Sequence, residues 1–536
     1  MNEEIEEYYE ELYRLYIDEN QPLERRYRQL RESLERVVRE KIQGNSLQTT
    51  DLAARINYVA TQYGLDLKEQ NQLHTFRLTS NDILNHRKSP VKEEFLRDLR
   101  AVAYAYRKMF AQDIPLKLFS VLPKQEIASS GKKEKMEYIR RIRVCFDYAD
   151  DTYLYVHPVD VIADELIRVV YNKPGINHEF EETIKELWRY AQLNLLDVSV
   201  DRDGIYTPSF IVLEPDYLID ISSLAECYKD YGSHPANYFL SRLVPIDNAR
   251  PLLLGNIANL FLDEWIHAGE EEPDYIDCMK KAFRQYPIEL AACAELRDPS
   301  KEKEFAKDCR MHFEHIRDVV QHTFLEPGYN LDKKEAVLEP SYICEALGIQ
   351  GRLDYMQRDM SSFIEMKSGK ADEFSMQGKV EPKENNKVQM LLYMAVLEYS
   401  MGQDRRRMHP YLLYTRYPLL YPARASWAQV RRVINLRNRI VAAEYGVQFH
   451  NHPDFTRNLL AQINPEVVNE RKLSGRFWEQ YLKPSISRFR EKLSALEPLE
   501  QAYFYTLYNF ITKELYTSKS GDVDYEGRAG ASALWL

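Results

Sequence analysis

The chain has 536 residues, a hydrophobic fraction of 44%, a charged fraction of 29% and a formal net charge of -11. A chain of this length folds into about two to four domains, and its composition is ordinary for a soluble globular protein. No apolar run is long enough to span a bilayer, which excludes an integral helical membrane protein. The negative charge excludes a generally basic coat for nucleic acid, although it leaves room for a local basic groove.

The start of the chain and its cysteines indicate a compartment. The acidic first residues, Met1 to Glu7, lack the layout of a signal peptide. Six cysteines are present without a C-x-x-C pair, which fits a reducing environment. We therefore expect a cytoplasmic protein with no membrane partner.

The N-terminal region, residues 1–215, is predicted to mix helices and strands. It starts with two helices broken near Asn20–Pro22, and their near-heptad apolar spacing predicts a helical hairpin or a short coiled coil. Residues 48–115 also have a mainly helical pattern. Further along we predict strands at 116–122, 139–147, 153–156, 196–200 and 210–213, and a helix at 180–195. This region contains no catalytic motif.

The middle of the chain, residues 216–420, is predicted to be an α/β domain. The predicted elements are a helix at 252–263, a helical insertion at about 270–325, strands at about 338–345, 349–356 and 363–366, a helix at 387–397 and a strand at 409–414. The remaining residues, 421–536, are predicted to be helical and are rich in arginine at their start.

Two of these strands carry residues typical of metal chemistry. The run 349–356 and the run 363–366, separated by a polar break, predict a β-hairpin. Glu365 and Lys367 then project to one side, which Asp354 on the neighbouring strand can share. Two adjacent carboxylates repel unless a cation lies between them, and a lysine beside them can orient water or stabilise charge on a phosphate. The alternative is a surface hairpin whose acid and base form a solvated ladder.

The helix that follows adds two polar residues to this pattern. Gln389 and Tyr393 lie four positions apart on an otherwise apolar helix, and so on one face. The alternative for this pair is a core helix with one exposed amide.

In these motifs the chain resembles the PD-(D/E)xK nuclease superfamily, in its RecB-like branch, over roughly residues 216–420. The branch has G-x-x-D, then (D/E)-x-K, then Q-x-x-x-Y, and the matching residues are Gly351, Asp354, Glu365, Lys367, Gln389 and Tyr393. Lys367 to Lys370 also resembles the K-[ST]-G run of the family, and Glu339 suits its pattern.

The resemblance implies a restriction-endonuclease-like core, a mixed sheet flanked by helices. It implies a Mg²⁺- or Mn²⁺-dependent deoxyribonuclease that hydrolyses phosphodiester bonds, with Asp354, Glu365, Lys367, Gln389 and Tyr393 as catalytic residues. Relatives in this branch are often fused to, or work with, a superfamily 1 helicase. The expected role is therefore helicase-associated DNA repair, recombination or defence.

The metal ligands expected from the resemblance include one departure from the family pattern. Asp354, Glu365 and the Met366 carbonyl are the expected ligands. Asn259 stands where the family usually has a histidine, and Asp263 follows one turn later on the same face. Asn259 or Asp263 would complete the shell, since an amide oxygen can bind Mg²⁺ as a neutral ligand. The alternative is a catalytically decayed nuclease-fold module that binds DNA or acts as a scaffold.

An iron–sulfur cluster, which some relatives hold with one cysteine before the core and three after it, is not expected. No cysteine follows the hairpin that carries Asp354 and Glu365. No G-x-x-x-x-G-K-[ST] motif is present either, so the chain has no recognisable P-loop ATPase of its own.

An arginine-rich segment follows the predicted nuclease region. Between residues 403 and 440 there are nine arginines and one acid, Asp404, with Tyr417, Tyr421 and Trp427 among them. Arginines among aromatic residues suit phosphate contacts and base stacking. We select Arg424, Arg431, Arg432 and Arg439 as DNA-binding residues, for a single-stranded or branched substrate. The alternative is a solvated helix face, and an RNA substrate also fits the motif.

Overall fold

The computed structural model describes residues 3–18, 20–42, 52–123, 137–160, 165–244, 250–329, 331–374, 379–422 and 426–520. The chain is mixed α/β and divides into two compact units. The first unit comprises Met1–Asp216, Val441–His452 and Asn509–Leu536, and the second comprises Tyr217–Ile440 and Pro453–Tyr508. The division predicted from sequence, at residues 216 and 421, stays a prediction. None of the described helices combines the length and apolar character needed to cross a membrane.

The first unit begins with helices that share one apolar core. These helices are α1 (Glu3–Ile17), α2 (Leu23–Ile42), α3 (Leu52–Gln62), α4 (Leu67–Leu84), α5 (Lys92–Phe110) and α6 (Leu116–Phe119). The two helices predicted at the start of the chain correspond to α1 and α2. The apolar stripe of α2, including Tyr27, Leu30 and Leu34, packs with Phe95 and Leu99 of α5 in one buried cluster. These helices are therefore part of a larger helical bundle and not an isolated coiled coil.

The strands of the first unit form a six-stranded sheet. They are β1 (Glu137–Ala149), β2 (Tyr153–Pro158), β3 (Ile167–Val170), β4 (Gln192–Val200), β5 (Ile205–Thr207) and β6 (Phe210–Leu213), with the short helix α7 (Glu181–Lys185) before β4. The order is β1-β2-β3-β5-β4-β6, and β4 also pairs with β1, so that five strands close into a ring.

Two sequence predictions in this unit are wrong. Residues 116–119 are helical and not a strand, because Pro115 fixes an N-terminal helical turn that buries only Leu118. The helix predicted at 180–195 ends at Lys185, and Tyr190 has a φ of +72°, which no helix tolerates. The apolar residues that follow belong to β4, since a short apolar run can be buried equally well in a strand.

The second unit contains most of the remaining elements. The helices are α8 (Ile221–Ala225), α9 (Ala236–Leu243), α10 (Arg250–His267), α11 (Tyr275–Gln285), α12 (Pro287–Ala292), α13 (Pro299–Gln321), α14 (Glu384–Met401), α15 (Trp427–His450), α16 (Pro453–Ala461), α17 (Pro465–Val468), α18 (Lys483–Ser494) and α19 (Pro498–Ser520), the last residues of α15 and α19 belonging to the first unit. The strands are β7 (Ile219–Asp220), β8 (Ala336–Leu338), β9 (Ser341–Cys344), β10 (Ile349–Arg352), β11 (Tyr355–Gln357), β12 (Ser362–Lys367), β13 (Asp372–Phe374), β14 (Lys379–Glu381), β15 (His409–Tyr414) and β16 (Leu419–Pro422).

A five-stranded sheet, in the order β16-β15-β12-β11-β8, lies at the centre of this unit. β12 is its middle strand, antiparallel to β11 and parallel to β15, with α14 as the crossover between β12 and β15. A parallel pair needs such a long connection. Residues of the predicted helical insertion form α11, α12 and α13, with α12 and α13 starting at Pro287 and Pro299.

Candidate active site

Asp354 lies where a long hairpin passes from one sheet to another. Before it β10 pairs with β9, and after it β11 pairs with β8. The Glu339 N–H donates to the Asp354 carbonyl oxygen at 3.1 Å, so the ladder continues through the bend. Glu339 has a φ of +49°, and Pro340 follows it without an N–H. The strands predicted as continuous at 338–345 and 349–356 are therefore each broken at this bend.

Glu365 is held by two side chains. The Lys367 Nζ lies 2.8 Å from Glu365 Oε1, which shows that both side chains occupy one face of β12. The Gln389 Nε2 of α14 donates to the same Glu365 oxygen at 2.6 Å, and Lys367 Nζ donates to Gln389 Oε1 at 2.9 Å. The three groups contact each other in a closed network, so the position of the buried Glu365 carboxyl is fixed.

Asp354 joins this network through the backbone of β12. Its Oδ2 accepts a hydrogen bond from the Met366 N–H at 2.6 Å. In an antiparallel ladder the N–H and C=O groups of one residue face the same neighbour, so the Met366 carbonyl also faces the edge that carries Asp354. The structure thus brings together Asp354, Glu365, Lys367 and Gln389, together with the Met366 backbone.

Tyr393, one turn after Gln389 on α14, contacts the strand that leads to Asp354. Its hydroxyl donates to the Arg352 carbonyl oxygen at 2.5 Å. A Cβ on Gly351 would lie 3.1 Å from the Tyr393 hydroxyl and from Ile221 Cδ1, closer than most such contacts. Glycine at this position therefore allows the tyrosine ring to reach the backbone at the bend.

The helix α10 adds a further carboxyl group. Burial raises the pKa of Asp263 to about 6, and the negative charges of Glu339 and Asp354 add to that rise. Asn259 lies one turn earlier on α10, and both side chains are half-buried. The charge of Glu339 also raises the pKa of Asp354, after the larger effect of burial and against the attraction of Lys367. The charge of Glu339 thus reaches both Asp263 on α10 and Asp354 at the bend between β10 and β11.

Burial and the neighbouring Asp354 charge raise the pKa of Glu365 to about 8, against the opposing attraction of Lys367. Burial works to lower the pKa of Lys367, but the Glu365 carboxylate outweighs it and the pKa is raised. The lysine therefore stays protonated near neutral pH. Burial thus favours the protonated form of Glu365, and a bound cation would favour its carboxylate.

The second oxygen of Glu365 suits a cation. Oε2 is buried and has no hydrogen-bond partner among the described residues. A buried acceptor left without a partner is unfavourable, and a hard divalent cation would satisfy it. The nearby donors are oxygens, as Mg²⁺ and Mn²⁺ prefer. Within the described ranges, no three His, Cys, Asp or Glu side chains already converge on one point as a metal cage.

The predicted DNA-binding arginines differ in exposure. Arg432 is exposed, Arg439 is half-buried and Arg431 is buried, while Arg424 lies outside the described residues. Arg437, which belongs to the same arginine-rich segment, is completely buried. Its guanidinium donates to the carbonyl oxygens of Gly348 at 3.1 Å and Tyr217 at 2.5 Å. Arginine content alone thus overstates the basic surface of α15.

One residue near the acids was not selected from the sequence. Tyr286, between α11 and α12, lies close enough for the charges of Glu339 and Asp263 to raise the pKa of its hydroxyl, after the larger effect of burial. No motif marks it, because its position depends on how the insertion packs. A proline after an aromatic residue is the only local signal.

We call Asp263, Glu339, Asp354 and Glu365 the acidic cluster, and the ammonium group of Lys367 contacts Glu365 of this cluster. The arrangement is suited to binding a divalent cation and a phosphate. No protein-family model matches this chain, and no curated protein matches it either.

Proposed function

We propose that this chain is a metal-dependent deoxyribonuclease of the PD-(D/E)xK type, in the RecB-like branch, and that it hydrolyses phosphodiester bonds. The observation that carries the proposal is the Glu365 carboxyl group. One oxygen is held by Lys367 and Gln389, and the other is buried without a hydrogen-bond partner among the described residues. A buried carboxylate oxygen without a partner is unfavourable, and a cation beside Asp354 and Glu365 would remove that cost.

Asp354, Glu365 and the Met366 carbonyl would hold one or two Mg²⁺ or Mn²⁺ ions, with Asp263 or Asn259 completing the shell. When bound, the ion supplies Lewis-acid polarisation of the phosphate and makes water a stronger nucleophile. The oxygen-only donor set and the unsatisfied Glu365 oxygen support this choice of metal.

Each of the remaining residues has a separate role in the proposed mechanism. Lys367 orients the attacking water and stabilises negative charge that grows on the phosphate. Gln389 fixes the carboxyl group of Glu365 and the ammonium of Lys367 by contacting both. Tyr393 acts as a positioning residue, because its hydroxyl holds the Arg352 carbonyl next to the bend that carries Asp354.

The resemblance extends the proposal to partners and process. We propose single-stranded or branched DNA as the substrate, with exposed Arg432 and half-buried Arg439 among its contacts. We also propose association with a superfamily 1 helicase, in repair, recombination or defence.

A second function is favoured by Asn259. A neutral amide at the position where the family has a histidine would weaken metal binding. The alternative is therefore a decayed nuclease-fold module that binds DNA or serves as a scaffold without cutting it.

The test is a cleavage assay on the purified chain with single-stranded DNA and, in parallel, RNA, in the presence of Mn²⁺ or Mg²⁺. We expect cleavage that EDTA abolishes. Lys367→Ala should lower the rate by about 100- to 1000-fold or more, the effect of removing one charge-stabilising group. Glu365→Gln should do the same with less disturbance of packing.

The matched control is Lys334→Ala, which removes an exposed ammonium elsewhere in the second unit. It should cleave at the wild-type rate, and all variants should show wild-type circular dichroism spectra. Full activity of Lys367→Ala would remove the assignment. Retention of DNA without cleavage by the wild-type protein would support the decayed module instead.

A further inference from the structure

The ring of strands in the first unit has the connectivity of an OB-fold, which is a five-stranded Greek-key barrel. Around the ring the order is β1-β2-β3-β5-β4, and β4 returns to β1. Of the strand pairs described in this ring, β3 and β5 run parallel and the others run antiparallel. The short helix α7 lies between β3 and β4, and β6 continues the line of β5 along β4. In OB-folds the face of the second and third strands, with the loops beside it, binds oligonucleotides or oligosaccharides.

A fold alone does not assign a ligand, so the side chains on that face matter more than the connectivity. Apolar side chains of β2 and β3 are buried inside the ring, namely Leu154, Val156, Ile167 and Val169. Successive side chains of a strand point to opposite faces, so Tyr155 of β2 and Arg168 of β3 lie on the outer face. Both are half-buried. The outer face of these two strands therefore carries an aromatic ring and a cation.

A β-bulge adds a second aromatic ring from β1. The register between β1 and β2 shifts between Phe146 and Tyr148, and Tyr148 becomes the cross-strand partner of Tyr155. The two rings stack, with centroids 4.3 Å apart and planes inclined by 13°. Without the bulge, Tyr148 would share the face of the buried Phe146. The bulge thus creates a stacked pair of tyrosines on the outer face.

Two more contacts extend this pair into a row across three strands. The Tyr153 ring meets the Tyr155 ring edge to face, with centroids 6.4 Å apart. The Arg168 guanidinium lies 5.8 Å from the centroid of the Tyr153 ring, and Arg168 is the cross-strand partner of Tyr155 on β3. We call Tyr148, Tyr153, Tyr155 and Arg168 the tyrosine row.

The turns on both sides of this face hold the tyrosine row in place. In the β1–β2 turn, the Asp150 carboxylate accepts hydrogen bonds from the Tyr155 hydroxyl at 3.0 Å and from the Tyr153 N–H at 2.7 Å. In the β4–β5 turn, the Asp203 carbonyl oxygen accepts a hydrogen bond from Arg168 Nη2 at 3.1 Å. These are the two loops that flank the ligand face of an OB-fold. A surface fixed in this way loses little conformational entropy when a ligand binds.

The stacked pair favours an unpaired nucleobase as the ligand. Tyr148 has one face against Tyr155 and is 50% exposed, so the exposed part is its other face and its rim. A base placed there would lengthen the stack by one ring, and every base has a face that suits it. Bases inside a duplex are already stacked on each other, so only an unpaired base offers that face.

Charge on this face favours a phosphate-linked chain but contributes little affinity. Arg168 can attract one phosphate, whereas a neutral oligosaccharide has no charge for it to attract. Asp150 and Asp151 are exposed in the neighbouring turn and would repel further phosphates. We therefore expect most of the affinity to come from stacking.

We propose that the tyrosine row, on the outer face of β1, β2 and β3, binds unpaired bases of single-stranded nucleic acid. This inference goes beyond the proposed function, because it gives the first unit a binding site of its own. It does not require the second unit to cut a strand.

The test measures binding by the full chain in EDTA, where the proposed metal-dependent cleavage is absent. Fluorescence anisotropy follows a labelled oligothymidylate single strand and a labelled blunt duplex of the same length. We expect Tyr148→Ala to raise the Kd for the single strand by about 5- to 100-fold, the range for loss of one stacked base, and to leave duplex binding unchanged. Tyr148→Phe keeps the ring and should bind as the wild type does.

Three further variants separate stacking from other causes. Tyr148→Leu keeps an apolar side chain without a ring, and it should lose binding as Tyr148→Ala does. Tyr138→Ala is the matched control, because it removes a tyrosine of the same strand that is 65% exposed and lies outside the tyrosine row. It should bind as the wild type does. Arg168→Gln should lower the slope of log Kd against log salt by about 0.7, the value for one phosphate of a single strand.

Several results would overturn the assignment, provided that all variants unfold at the wild-type temperature. These are wild-type affinity of Tyr148→Ala or Tyr148→Leu for the single strand, an equal loss in Tyr138→Ala, or no single-strand binding by the wild-type protein. Calorimetric binding of maltoheptaose that Tyr148→Ala abolishes, with single-strand affinity unchanged, would assign the face to an oligosaccharide instead.

The outcome is independent of the proposed catalysis. If binding depends on the Tyr148 ring while the wild-type protein cuts nothing with Mn²⁺, the tyrosine row stands and the nuclease proposal fails. If the protein cuts DNA and binding does not depend on the ring, the nuclease proposal stands and the tyrosine row fails.

Discussion

At the scale of single residues, Gly351 is a sterically constrained position near the candidate active site. The sequence motif contains this glycine, and the structure gives a physical reason for it. A Cβ there would press on the Tyr393 ring and hydroxyl and on the Ile221 methyl, each at 3.1 Å. Gly351 therefore leaves room for the ring of a tyrosine forty-two positions later in the chain.

We expect Gly351→Ala to push the Tyr393 ring away from the Arg352 carbonyl. The overpacked methyl group should destabilise the protein by about 1–3 kcal/mol. Cleavage should fall by about tenfold or more, since a displacement near 1 Å at a catalytic site is expensive. Thermal unfolding and initial rates on single-stranded DNA measure the two effects.

Gly269→Ala is the control, because a Cβ there meets no atom within 4 Å. It should match the wild-type protein in both measurements. If Gly351→Ala retained full activity and stability, the contact between Tyr393 and the bend would contribute to neither.

At the scale of elements, local sequence patterns predicted the helix and the strand that carry the candidate site. They did not predict which strands pair with one another. The helical spacing of Gln389 and Tyr393 and the strand spacing of Glu365 and Lys367 follow from backbone geometry alone, so both elements were predictable. The parallel pairing of β12 with β15, which completes the sheet around them, has no local signal. The helix wrongly predicted at 180–195 shows the same limit. Pairing with a neighbouring strand determines that the ambiguous apolar run forms a strand and not a helix.

Arginine on α15 illustrates why part of the site could not be predicted. Arginine is mostly exposed in proteins, so nine of them in one segment indicate a basic surface. Arg437 instead lies in the core, where it fills the space beside Gly348, a residue with a φ of +65°. Through Gly348 and Tyr217 it connects α15 to the starts of β10 and β7. Only the packed structure distinguishes it from Arg432.

Arg437→Met should therefore destabilise the second unit by about 3 kcal/mol, because two buried carbonyl oxygens lose charged donors. The midpoint of urea unfolding, followed by tryptophan fluorescence, measures this. Arg432→Met on the same helix should change stability by about 0.5 kcal/mol or less, as is usual for an exposed residue. Equal midpoints for the two variants would contradict the structural role of Arg437.

At the scale of the whole molecule, every residue proposed for chemistry lies in the second unit. The first unit, with its helical bundle and closed set of strands, contributes none of them. The raised pKa values of Asp263 and Glu365 make the stability of the second unit depend on pH.

The pH dependence of stability follows from Glu365. Its pKa is about 8 in the folded protein and near 4.3 in an unfolded chain. Between these values the folded state keeps the proton that the unfolded state releases. Stability from this group is complete below about pH 4.3 and is lost as the pH rises through about 8. The raised pKa of Asp263, about 6, also makes stability fall as the pH rises, but over a narrower range of pH.

In EDTA, the Tm of the wild-type protein should fall between pH 5 and 8 more steeply than that of Glu365→Gln, which has no proton to lose. Differential scanning calorimetry over this range measures the difference. Added Mn²⁺ should raise the Tm most at pH 8, since a cation replaces the proton. Parallel pH profiles for the two proteins would show that Glu365 is not buried as described.

The central place of β12 in its sheet has a consequence for synthesis on the ribosome. Its parallel partner, β15, is translated only after the whole of α14. Until β15 has been made, one edge of β12 is therefore unpaired in the nascent chain, and an unpaired strand edge can pair with another chain. Products that end before His409 should therefore aggregate more readily than the full-length chain.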